Sequence, residues 1–266
     1  AGGSTPGGSR SVRSLSNMDP VVLSQRLSVL VLGASGDLAK KKTYPSLFTL
    51  YCLGLLPDKL KVYGYARSAK TDEAFRETVS GYLKAPKGMD EPTFDARRAE
   101  FLGMCVYRRG GYDSVDDMKR VVAEMAEDEG SETANRLFYF AIPPTVFAPV
   151  SRTIKACALT DNGWNRTIIE KPFGRDLESS AELSAQIAEC FTEDMVYRID
   201  HYLGKEMVQN LMVLRFGNTV FEPLWNRHHI ASVQVSFKEP FGTEGRGGYF
   251  DTFGIVRDVM QNHLLQ

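Results

Sequence analysis

Sulfur chemistry is scarce in this 266-residue chain. Its four cysteines (Cys52, Cys105, Cys157 and Cys190) are far apart and make no C-x-x-C pair, which excludes a disulfide framework and a thiolate zinc centre as organising devices. Charge of one sign is also missing. Thirty-two Lys and Arg against 33 Asp and Glu leave a net charge of -1, so the whole chain offers nucleic acid or an anionic bilayer no electrostatic footprint. Long apolar runs are absent too; Leu27 to Leu32, with one Ser inside, is strand-sized rather than membrane-sized. Low-complexity composition is confined to the start. Ala1 to Ser16 is mostly Gly and Ser, carries Arg10 and Arg13 and no acid, and cannot bury a core, so residues 1–24 are expected to be a disordered tail. The missing initial Met suggests a trimmed chain. What remains is ordinary: 43% hydrophobic, 24% charged and 11% aromatic, the balance of a folded protein.

From Leu27 the pattern alternates. Strands are expected at 27–32, 60–65, 101–107, 136–142, 166–170 and 195–199, and helices at 37–53, 71–83, 114–126, 145–157 and 176–190. Strand followed by helix, repeated, predicts an α/β fold: a doubly wound parallel Rossmann sheet over 25–199. The pattern then changes. A helix from 204 to 216, a period-two strand within 229–237, a glycine-rich loop over 242–248 and a helix over 255–265 suit the start of an α+β domain with a mainly antiparallel sheet, residues 200–266. One strand beside two helices is not a domain, so the second domain is expected to be cut short.

The first strand ends in Gly33-Ala34-Ser35-Gly36-Asp37-Leu38-Ala39-Lys40. A glycine turn between a first strand and first helix lets a pyrophosphate approach the backbone, and the helix N-terminus supplies N–H groups. The spacing is G-x-x-G-x-x-A, with Ser35 at the usual second glycine, and a plain tight turn would look similar. No Gly-Lys-Ser/Thr follows, so this is not an NTPase phosphate loop. At least two of Lys40, Lys41 and Lys42 are expected on a solvated helix face. The second strand ends in Ala66-Arg67-Ser68, with no acid to hold the ribose 2′-hydroxyl of NAD. Arg67 suits the 2′-phosphate of NADP, or is a surface arginine.

The fifth strand ends in Glu170-Lys171-Pro172-Phe173-Gly174, and the sixth in Arg198-Ile199-Asp200-His201-Tyr202-Leu203-Gly204-Lys205. Ligands of such sheets bind outside the carboxyl ends of the strands, so Lys171, Asp200, His201 and Lys205 are expected on one rim, with His201, Tyr202 and Lys205 at a helix start suited to an anion. A cis bond at Lys171–Pro172 would fix the lysine's direction. Asp258 and His263 stand about 140° apart on an α-helix and do not face each other; Asp200 is the candidate to orient His263 as a general base. His228 and His229 have no metal-ligand spacing and read as surface residues.

The segments around Gly33, Glu170, Arg198 and Gly248-Tyr-Phe-Asp, with Gln261-Asn-His-Leu-Leu-Gln, resemble the glucose-6-phosphate dehydrogenase family over about residues 25–266. The resemblance implies NADP-dependent oxidation of glucose 6-phosphate to the 6-phosphogluconolactone, the first step of the pentose phosphate pathway, in the cytoplasm, by a homo-oligomer (dimer or tetramer) when complete, with no metal, nucleic acid or membrane. It implies cofactor contacts from 33–40, Arg67 and Lys171; substrate contacts from Lys171, His201, Tyr202, Leu203, Gly204, Lys205, Glu239 and Asp258; and His263 as base, held by Asp200. Phe147 stands where the family often has Tyr, and family members are about twice as long. Two alternatives accompany this: a noncatalytic NADP-binding fragment, and another sugar oxidoreductase with Glu-Lys-Pro after a Rossmann strand. A chain ending at Gln266 is expected to bind NADP but to turn over glucose 6-phosphate at under about one percent of the complete protein, because a misplacement of about 1 Å can cost roughly 10²-fold.

Overall fold

The structure, a computed structural model, describes residues 24–130, 133–240, 242–245 and 247–265. The expected tail, Ser24 apart, lies outside them. The chain divides into two compact units between Thr167 and Ile168.

The strands are β1 (Arg26–Leu32), β2 (Lys59–Ala66), β3 (Cys105–Arg109), β4 (Ala134–Phe140), β5 (Asn165–Ile169) and β6 (Val196–Arg198). They form one parallel sheet in the order β3-β2-β1-β4-β5-β6, the doubly wound arrangement expected from the alternating pattern. β1 lies centrally, pairing in register with β2 from Arg26–Lys59 to Leu32–Tyr65 and with β4 from Arg26–Ala134 to Leu32–Phe140. Its near-continuous apolar run follows from that position: Val29, Leu30, Val31 and Leu32 are all fully buried, as a strand covered on both faces requires.

Three of the first unit's helices start on a side chain that satisfies a free N–H group. Thr71 caps α2 (Asp72–Ser80), Asp90 caps α3 (Glu91–Gly103) and Ser114 caps α4 (Val115–Glu129), each accepting from the backbone N–H three residues on. α1 (Tyr44–Cys52) is preceded by a π-helical turn, Ala39–Thr43, and α5 is Phe147–Cys157. Phe48, Phe75 and Phe101 carry the helix side of the core, in edge-on contacts with neighbouring rings for Phe48 and Phe75. Phe147 is fully buried against Phe140, at 5.7 Å between rings.

Two glycines set the nucleotide end of this unit. Gly33 has φ +85°, and a Cβ there would run into the Ala141 carbonyl. A Cβ on Gly64 would meet Ala34 and Phe75 at 2.9 Å, so β2 passes beneath the turn only because position 64 is bare. Away from this end, Ser28 and Arg136 stand opposite each other on β1 and β4. Arg136 grips Glu129 through two bonds (Nε–Oε1 3.0 Å, Nη2–Oε2 2.6 Å), donates to the Ala158 carbonyl, and shares the carboxylate with the Ser28 hydroxyl. Both ionic side chains are only 6% exposed.

In the second unit Asp176 and Ser179 form a reciprocal capping box at the start of α6 (Leu177–Ala188). α7 (Glu206–Phe216), α8 (Gly247–Phe253) and a π-helix (Val256–Leu264) follow β6.

Three expectations are corrected. The strand placed at 101–107 begins at Cys105, because Phe101 and Leu102 end α3, a helix missed altogether. The strand within 229–237 does not form. Val233 and Val235 are 75% and 60% exposed, and no neighbouring strand offers its backbone a ladder. The glycine-rich loop covers only part of 242–248, since Gly247 already opens α8.

Candidate active site

Four strand ends of the first unit surround a cleft of about 280 Å³. Gly33, Ser35 and Gly36 follow β1; Ala66, Arg67 and Ser68 follow β2; Tyr112 comes shortly after β3; Ala141, Ile142 and Pro143 follow β4. The turn is tied to the sheet by the Gly33 and Ala34 N–H groups, both donating to the Tyr65 carbonyl, and closed by Gly36 N–H on the Gly33 carbonyl. The Ser68 hydroxyl donates to Ser35 at 3.0 Å, linking the turn to the end of β2. Asp37 opens the helix facing this cleft, and a bare carboxylate there would repel a phosphate. Bonds from Lys40 and Lys41, at 3.1 and 3.2 Å, neutralise it and hold its carboxyl below the usual range. Leu38 and Ala39 continue that helix, and Ala39 is buried in the core. Arg67 is exposed and lies 5.6 Å from the Tyr112 ring centre. Tyr112, Ile142 and Pro143 were not singled out in the sequence, although all follow strand ends, where ligands of such sheets gather.

The residues fit a dinucleotide. The turn is crowded on its inner side, open on its outer side, starts a helix, and stands beside an arginine with no described carboxylate partner.

The second unit gathers the other candidates. The Lys171–Pro172 bond is cis, as anticipated. Lys171 donates at 2.9 Å to Asp200 Oδ2 and at 2.9 Å to the Asn262 carbonyl. Asp200 Oδ1 accepts the Tyr202 N–H at 3.1 Å. Burial pushes the Asp200 carboxyl up, but Lys171 and the Tyr202 and Leu203 N–H groups outweigh it and hold the group ionised below the usual range. His263 stacks on Tyr202 at 4.1 Å and meets His201 edge-on at 5.1 Å, while Lys205 Nζ lies 3.5 Å from the Tyr202 ring centre. His201, Leu203, Gly204 and Lys205 are exposed in the turns before α7.

One expected pairing is absent. Asp200 bonds Lys171 and not His263, and His263 Nδ1 is buried with no described partner. Burial, then His201 and Lys171, hold the imidazole below its ordinary value, and the charges of Asp258 and Asp200 pull the other way. The Asp258–His263 angle is corrected as well. In the π-helix, bonds run from i to i+5, as in Leu265 N–H to the Met260 carbonyl, so residues five apart share a face. Glu239 is exposed and has no described partner. Among the described residues no His, Cys, Asp or Glu cluster could hold a metal, and no helix is long and apolar enough to cross a membrane.

The family model described as "Glucose-6-phosphate dehydrogenase, NAD binding domain" matches residues 30–210, and that of the "C-terminal domain" matches 212–266. The chain belongs to the glucose-6-phosphate dehydrogenase family. It is 52% identical to glucose-6-phosphate 1-dehydrogenase 5, cytoplasmic, of Arabidopsis thaliana, over 93% of this chain and 49% of that protein. It is 54% identical to the Dictyostelium discoideum glucose-6-phosphate 1-dehydrogenase, over 90% and 48%. A solved glucose-6-phosphate dehydrogenase in complex with glucose 6-phosphate superposes with a TM-score of 0.84 at 50% identity, covering 91% of this chain and 50% of that one. The chain thus spans about half the length of the relatives it matches.

Proposed function

We propose that the protein oxidises D-glucose 6-phosphate to 6-phospho-D-glucono-1,5-lactone with NADP, the entry step of the pentose phosphate pathway. The observation carrying this is the second unit's grouping of an imidazole held below its ordinary value, an ionised Asp200–Lys171 pair and exposed cations, in a chain half-identical to dehydrogenases of that name. NADP, when bound, supplies the hydride acceptor. Residues 33–40 cradle the pyrophosphate and Arg67 pairs with the 2′-phosphate, while Lys171 orients sugar and nicotinamide. His201, Tyr202 and Lys205, with the Leu203–Gly204 backbone, hold the substrate phosphate. Asp258 and Glu239 accept from sugar hydroxyls. His263 removes the C1 hydroxyl proton, and Asp200 favours the resulting imidazolium through its charge. A homo-oligomer in the cytoplasm completes the proposal. The cytoplasmic relatives support that compartment, and chloroplastic ones are about as similar.

Arg67→Ala should weaken NADP binding and leave NAD nearly untouched, since a guanidinium recognises phosphate and β2 ends without an acid. Titration with each dinucleotide checks this; equal losses would remove the 2′-phosphate assignment. A pH profile tests the base. His263 works deprotonated and is held below 6.5. kcat/KM should therefore stay level from neutral pH downward and fall only below that value, with a one-proton slope. An acid limb centred above 6.5 would contradict it.

A further inference from the structure

Beside the nucleotide cleft lies a second cavity, of about 390 Å³, lined by Arg67, Arg109, Gly110, Gly111, Asp117 and Arg120. Arg67 belongs to both. The three arginines differ in charge balance. Arg120 is ion-paired with Asp117, whose other oxygen accepts the Gly111 N–H at 2.8 Å, so that acid is fully engaged. Arg67 and Arg109 have no described carboxylate partner. Arg109 is nonetheless placed: its Nε donates to the Arg67 carbonyl at 3.2 Å. That bond leaves the two terminal nitrogens of Arg109 available and brings two unneutralised guanidinium-bearing residues to one rim. The neighbouring Arg108 shows the contrast, since Asp72 and Glu124 both pair with it.

The cavity's one acid, Asp117, is taken by Arg120 and the Gly111 N–H, so Arg67 and Arg109 are adjacent cations that disfavour one another and favour a shared dianion. We propose that Arg109 is a second specificity-determining residue for NADP, gripping the 2′-phosphate together with Arg67. This rests on the NADP reading above and extends it to a residue that motif logic does not reach. Arg109 closes β3, the strand beyond β2 in the sheet, so the phosphate is held from two strand ends.

The test is calorimetric titration of the chain with adenosine 2′,5′-bisphosphate and adenosine 5′-monophosphate. The wild type should prefer the bisphosphate. Arg67→Ala and Arg109→Ala should each weaken the bisphosphate about tenfold, the scale of one lost charge-assisted contact, and leave the monophosphate within about twofold by the same reasoning. Replacing the neutralised pair together, Asp117→Asn with Arg120→Ala, leaves the net charge of the cavity unchanged and should change neither. Arg109→Lys should keep part of the preference through its charge. A bisphosphate loss with Arg67→Ala and none with Arg109→Ala would overturn this inference alone. Equal losses from Arg109→Ala and from the paired Asp117→Asn/Arg120→Ala variant would also overturn it, by showing that the cavity's guanidinium groups act without distinction. A wild type indifferent to the 2′-phosphate would overturn the NADP reading and this inference with it.

Discussion

In the full-length protein, His263→Asn should lower kcat by about 10²–10⁴, the usual contribution of a positioned general base, with little change in KM. Asparagine keeps the polar outline but cannot take a proton. The structure sharpens the expectation, because the ring is set by stacking on Tyr202 at 4.1 Å and by the edge of His201, contacts a smaller amide still partly fills. Steady-state kinetics with glucose 6-phosphate check the result, and an unchanged kcat would place the base elsewhere.

Arg136→Met should destabilise the first unit by about 3–5 kcal/mol, the range for breaking a buried ion pair from one side. The substitution removes two bonds from Glu129 and strands a carboxylate that is 6% exposed, with only the Ser28 hydroxyl left to it. The Ala158 carbonyl loses its donor as well. Replacing Glu129 by Leu at the same time should recover most of the loss, since no buried charge then remains. Denaturant midpoints of both variants decide it. A single-variant loss under about 1 kcal/mol would show that the carboxylate escapes to water.

What the sequence disclosed and what it hid have physical causes. β1 was legible because a strand buried on both faces must be apolar throughout, and the glycine turn because its backbone conformation needs bare positions. α3 was overlooked although Asp90 and Pro92 mark its start. Its apolar face is sparse, carried by Phe94, Phe101 and Leu102 alone, and its buried Phe101 sits close enough to β3 to read as strand. The alternation over 229–237 is real, but period two describes only which side chains could share a face. A strand also needs a neighbour, and none is present among the described residues.

The site divided similarly. Strand ends led to Lys171, Asp200, His201 and Lys205, and the second unit does bring Lys171 to Asp200 and His201 to His263. The partner of Asp200 could not be read from spacing, because Lys171 and His263 are both candidates for one carboxylate and only the folded structure shows Lys171 bonded to it. The π-helical turn that puts Asp258 on the face of His263 has no sequence period that distinguishes it from an α-helix. Arg109 escaped notice because a second arginine after Arg108 looks like surface charge until the carboxylates around each are located.

The most direct test of the proposed function follows a deuterium at C1 of glucose 6-phosphate. The full-length protein is incubated with the labelled sugar phosphate and NADP, and both products are isolated. The expected result is deuterium on the reduced nicotinamide, an unlabelled lactone, and far less reduction when unphosphorylated glucose or NAD is supplied. Deuterium retained on the sugar or lost to water, or equal reduction with glucose, would contradict hydride transfer from a phosphate-anchored substrate.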